Sequence, residues 1–113
     1  MPSAALLEFL SLFNQQKYWE AHEALEAEWR LTGSEFRHGL ILYTSAWVHV
    51  QRGNAHGVLA QLTKAATALE PYRPAQDGVN VEEILRTARA MRAALEGDSD
   101  WSRLLALDSR LST

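Results

Sequence analysis

EFRHGLILYTSAWVHVQR, residues 35–52, leaves no wide polar face when wound at about 100° per residue, because Phe36, Leu40, Ile41, Leu42, Tyr43, Ala46, Trp47, Val48 and Val50 spread around the axis. A helix of that kind has to be wrapped by others, so the stretch predicts an all-α fold with this segment at its centre. Its exception is one stripe, His38, Ser45, His49 and Arg52, spaced i, i+7, i+11, i+14. Polar groups inside a bundle need partners, and another helix has to supply them.

The preceding segment, NQQKYWEAHEALEAEWR at 14–30, offers the partner. A helix over about 16–31 puts Tyr18, His22, Leu25 and Trp29 on one face and Trp19, Glu23, Glu26 and Arg30 on the adjoining stripe. Glu20, Ala24, Ala27 and Glu28 read as water-facing. Thr32, Gly33 and Ser34 make a short connection that folds the two helices back antiparallel. Counting outward from Gly33 at about 1.5 Å per residue, His22 is level with the Ser45 to His49 turn. His22, Glu26 and His49 can therefore converge, on condition that the two helices are rotated to face one another.

Outward from this pair, Ser3 can cap a first helix with a seam of Leu6, Leu7, Leu10 and Phe13, ending near Asn14. After the centre, Gly53 and Asn54 read as stop and cap for a helix over about 55–70 carrying Val58, Leu62, Ala65, Ala66 and Leu69. PYRPAQDGVN is an extended loop. Asn80 with Glu83 suits a capping box for a fifth helix with a core face of Ile84, Leu85, Ala88, Met91 and Leu95. A short sixth helix over 98–111 carries Trp101, Leu104, Leu105 and Leu111, packing back on the bundle in preference to forming a dimer face. The expectation is one compact antiparallel bundle of five to six helices over residues 1–113, as monomer or homodimer.

Composition narrows the function classes. A chain of 113 residues buries roughly two-thirds of its unfolded surface, enough for a core without staples. With no cysteine there is neither a disulfide framework nor a thiolate metal site. A net charge of −3 with dispersed Lys and Arg gives no basic stripe for nucleic acid. The longest uncharged run, 39–50, is too short to cross a bilayer, and the amino-terminal stretch lacks a basic leader, so a cytoplasmic, non-membrane protein is expected.

FNQQKYWEAHEALEAEWR, HGLILYTSAWVHVQRGNAHG and the later LEPY resemble the DUF309 family, small helical proteins of unassigned role, over roughly residues 8–95. The resemblance implies that the characteristic polar residues fall here on His22, Glu23, Glu26 and His49. It departs from the family pattern at His38, where glutamine is expected, and at Asn80, where aspartate is expected.

Three readings of the site follow. In the first, His22, Glu26 and His49, with Arg52, form a structural network fixing helix two on helix three; removing Glu26 would then cost about 3–5 kcal/mol. In the second, the same centre binds a small ligand: Trp19, Trp29, Trp47 and Tyr43 are many rings for a short chain, and Arg30 and Arg37 beside the turn can hold a small anion. In the third, HEALE at 22–26 resembles a zinc-hydrolase helix, with His22, Glu26 and His49 ligating a divalent metal such as Zn and Glu23 as general base. Ser45, four residues before His49, has no oxyanion loop to make it a nucleophile.

Overall fold

The computed structural model describes residues 3–96, 104, 107 and 109–111. Among these, five helices follow one another: α1 (Ala4–Asn14), α2 (Tyr18–Thr32), α3 (Glu35–Gln51), α4 (Ala55–Leu69) and α5 (Val81–Glu96). The start signals act as the sequence implies. Ser3, Ser34, Asn54 and Asn80 each accept a backbone N–H from three residues on, at Leu6, Arg37, Gly57 and Glu83. Gly33 ends α2 in the left-handed conformation at φ 65°, donating its N–H to Trp29 O, a geometry glycine adopts without steric cost.

Each helix packs on its neighbours in sequence, α1 on α2, α2 on α3, α3 on α4 and α4 on α5. α3 is the central one, with Phe36, Leu40, Ile41, Tyr43, Ala46, Trp47, Val48 and Val50 all buried. α3 and α4 run antiparallel and touch at both ends through glycine. A methyl group on Gly39 would stand 2.7 Å from Leu69 Cγ, and one on Gly57 would stand 2.5 Å from His49 Nδ1. A chain of rings joins α1, α2 and α3: Phe13 packs edge-on to Tyr18 at 5.0 Å and stacks on Tyr43 at 5.7 Å, while Tyr18 stacks on Trp47 at 5.5 Å.

Tyr43 is the deepest polar ring. Burial raises its phenol well above the ordinary 10.0, with neighbouring Trp47 and Thr87 offsetting part of the shift, although neither Tyr43 Oη nor Trp47 Nε1 completes an aligned hydrogen bond. An unfolded chain ionises this phenol near its ordinary value and the folded one does not, so stability is intact below pH 10 and falls as pH rises above it. Thermal melts between about pH 9 and pH 11 are expected to decline less steeply for Tyr43→Phe than for the wild type; equal slopes would contradict the assignment.

The structure departs from expectation in two places. In α1 the seam uses Phe9, fully buried, in place of Leu7, which is 52% exposed. The loop before α5 contains a two-stranded hairpin, β1 (Ala75–Gln76) and β2 (Val79–Asn80), paired Ala75 to Asn80 and Gln76 to Val79. Its turn residues Asp77 and Gly78 both have positive φ, the tight hairpin turn for which an Asp-Gly pair is suited. Beside it Arg73 bridges Glu82 and Glu70, and the guanidinium holds the Glu82 carboxyl below the usual carboxylate range. The sixth helix expected over 98–111 lies largely outside the described residues. Those described there do pack back: Leu104 and Leu111 are buried, Leu111 exchanges two hydrogen bonds with the Asn14 side chain, and Ser109 pairs with the Tyr18 hydroxyl at 2.7 Å.

Candidate functional site

α2 carries a row of polar and aromatic side chains that begins on α3. The Arg52 guanidinium, just past the end of α3, lies 5.8 Å from the centre of the Trp19 ring. Trp19 stacks on His22 at 5.3 Å with the rings 6° from parallel. His22 Nδ1 sits 3.6 Å from Glu26 Oε2, and Glu26 in turn pairs with Arg30 one turn on. The i, i+3 and i, i+4 spacing of one helix produces this row. At 3.6 Å the His22–Glu26 contact is too long for a hydrogen bond, and His22 Nδ1 is buried without a hydrogen-bond partner.

His49 belongs to a different contact. The level counted from Gly33 agrees with the structure, since Tyr18 meets Trp47, but α3 is rotated so that His49 faces α4. Asn54 Nδ2 is 3.2 Å from His49 Nδ1, and the ring rests over Gly57. Asn54 has only donors on that nitrogen, so Nδ1 accepts and the His49 proton is on Nε2. Among the described residues no group of three or more His, Cys, Asp or Glu is placed to hold a metal ion. His22 and Glu26 are therefore neighbours along α2, and His49 is turned to another neighbour.

The remaining candidates separate similarly. Trp29, half-buried, stacks on His38 at 4.6 Å and 7°, with Glu35 3.9 Å from His38 Nδ1. Glu23 and Arg52 are exposed and Ser45 is half-buried. Tyr43 and Trp47 are core residues. Arg30 is 72% exposed and Glu26 27%, an i, i+4 pair of the kind worth well under 1 kcal/mol. Glu26→Ala is accordingly expected to lower stability by about 0.5 kcal/mol in a denaturant melt, in place of the 3–5 kcal/mol of a buried network; a loss above about 2 kcal/mol would restore the buried reading.

A charge network that the sequence reading missed lies on the opposite edge of α2. Glu28 accepts from Ser3 Oγ at 2.9 Å and stands 3.0 Å from Arg37 Nε, with the N–H not aligned along the contact. Arg37 also reaches Asp77 at 3.5 Å. Side chains of Arg37 and Glu28 are only 13% and 19% exposed, so Glu28 is not a water-facing residue and the Arg37 guanidinium is already held by two carboxylates. The signal was available: Glu28 and Arg37 lie five and four residues from Gly33, and hence at one level.

No described helix is long and apolar enough to cross a membrane. No curated protein and no solved structure matches the chain. The family model described as "Domain of unknown function (DUF309)" matches residues 6–61, a segment that starts inside α1, takes in α2 and α3 and stops inside α4, short of the LEPY segment at 69–72. Over that matched segment, which contains the whole polar row of α2 and both of its tryptophan–histidine stacks, this protein belongs to the DUF309 family.

Proposed function

We propose that the chain is a small-ligand-binding helical domain whose polar centre is the row along α2, and that its ligand is a flat anion. The supporting observation is Trp19. It is 49% exposed in a bundle that buries Phe9, Phe13, Tyr18, Tyr43 and Trp47, and it is flanked by the His22 ring and the Arg52 guanidinium. A large ring kept at the surface beside an imidazole and a guanidinium suits a second flat ring bearing a carboxylate or phosphate, which gains from stacking and from the nearby guanidinium together.

The experiment is a thermal-shift and tryptophan-fluorescence titration of the full chain with aromatic carboxylates and nucleoside monophosphates. A saturable rise in melting temperature is expected, lost in Trp19→Ala and in Arg52→Gln. Both residues are exposed, so the unliganded variants should melt within a few degrees of the wild type. If no compound gives a saturable shift at millimolar concentration, the reading fails.

A second reading, a metal-dependent hydrolase, draws on the unbonded His22 Nδ1 facing Glu26, with exposed Glu23 as the base. Two donors on one helix grip an ion weakly, and His49 would have to leave Asn54 to become the third. Protein purified without chelator or affinity tag and assayed for Zn, Mn, Fe and Ni decides it. Stoichiometric metal that disappears in His22→Ala supports the hydrolase; metal-free protein removes it.

A further inference from the structure

A cavity of about 660 Å³ opens between α3 and α4, and none of the residues of the Trp19 row lines it. Leu42, Ala68, Pro71 and Tyr72 give it an apolar lining, with His38 on one wall, held in place by its stack on Trp29. The volume falls within the range of pockets that take metabolite-sized molecules.

Its charges are separated along the helix axes. Gly39 opposes Ala68 and Leu69, and His49 opposes Gly57, so partners across α3 and α4 have residue numbers summing to about 107 in the antiparallel register. On that register Lys64 is level with Tyr43, and Glu35 lies eight residues away along α3. Eight residues correspond to about 12 Å, which puts a carboxylate at one end of the cavity and an ammonium at the other. Lys64 makes no ion pair among the described residues, and the ion-pair neighbour of Glu35, His38, is 3.9 Å away, beyond hydrogen-bond length. Between the ends, the Thr63 and Thr67 hydroxyls donate to Leu59 O and Thr63 O and keep lone pairs that can accept from amide N–H groups.

We infer that this cavity binds a short extended zwitterion of about tripeptide length, its ammonium at Glu35, its carboxylate at Lys64 and an apolar middle against Leu42, Ala68 and Tyr72. Three extended residues span about 10 Å, which the two flexible side chains can bracket. A simple anion satisfies Lys64 and leaves Glu35 with only the more distant His38 imidazole.

The test is a titration of the isotope-labelled full chain with the tripeptide Ala-Phe-Ala, followed by amide NMR shifts. Saturable shifts are expected at Leu42, Thr67 and Ala68. Acetylating the amino end, or amidating the carboxyl end, should each weaken binding about fivefold, the size of one exposed charge pair. Glu35→Gln should lose the penalty for acetylation alone, and Lys64→Gln the penalty for amidation alone. Both side chains are solvent-facing, and an unchanged amide spectrum of the free variants verifies folding. Shifts confined to α2, no saturation at millimolar peptide, or equal binding of free and capped peptides would each overturn the inference. So would phenylpropionate binding as tightly as the tripeptide. The outcome is independent of the Trp19 titration, since the two sites share no residue.

Discussion

Arg37→Ala is expected to lower stability by about 3 kcal/mol, the low end of the cost of breaking a buried ion pair, and to lower the melting temperature by about 15 °C for a domain of this size. The guanidinium touches Glu28 on α2 and Asp77 in the hairpin, and Glu28 in turn accepts from Ser3, the cap of α1. One side chain thus ties together the starts of two helices, the end of a third and a loop distant in sequence. With it gone, the Glu28 carboxylate, 19% exposed, keeps one hydroxyl donor and no cation. Much of the cost is that stranded charge, which gives a sharper check. Arg37→Met combined with Glu28→Gln should melt higher than Arg37→Ala alone, because the double variant removes both charges and restores apolar volume. A single-variant change of less than about 3 °C would mean that the network is solvated in solution and does not hold the bundle.

That network shows where sequence reading stops. The helices were legible because four of the five carry a capping side chain, Ser3, Ser34, Asn54 and Asn80, while α2, which starts at Lys17 without one, is marked by its left-handed Gly33 end, and all show an apolar face at helical spacing. The level of one helix against the next was also legible, because a two-residue connection at Gly33 and Ser34 leaves little slack. Rotation about the helix axis was not. α3 is apolar on nearly every side, so periodicity gives no preferred face, and which of its neighbours each polar residue meets depends on packing with α4. His49 went to α4 for a reason visible only in three dimensions: Gly57 leaves room for an imidazole, and Asn54 supplies a donor. Asp77 was beyond reach because its partner is forty residues away in sequence. The hairpin it belongs to was not beyond reach, since Asp-Gly between short extended segments is a turn signal in its own right.

Gly57→Ala tests that placement of His49, and its sign depends on two competing effects. Gly57 is helical and lies in the first turns of α4, where exchanging glycine for alanine favours the helix by up to about 1 kcal/mol. Against this, the added methyl would stand 2.5 Å from His49 Nδ1, 2.7 Å from its Cγ and 2.8 Å from Asn54 Nδ2. The ring cannot simply swing away, because Asn54 both holds it and caps α4 through Gly57 N, so relieving the clash loosens the cap as well. Overpacking costs of about 1–3 kcal/mol outweigh the propensity gain, and the variant is expected to be less stable by about 2 kcal/mol, seen as a lower midpoint in a urea melt. Combining it with His49→Ala removes the ring that the methyl meets. In that background Gly57→Ala should become neutral or stabilising, a reversal that only direct contact between the two positions produces. Were His49 instead turned toward His22 and Glu26, the methyl would meet only the exposed Asn54 amide, the single variant would lose little or no stability, and the two substitutions would act independently.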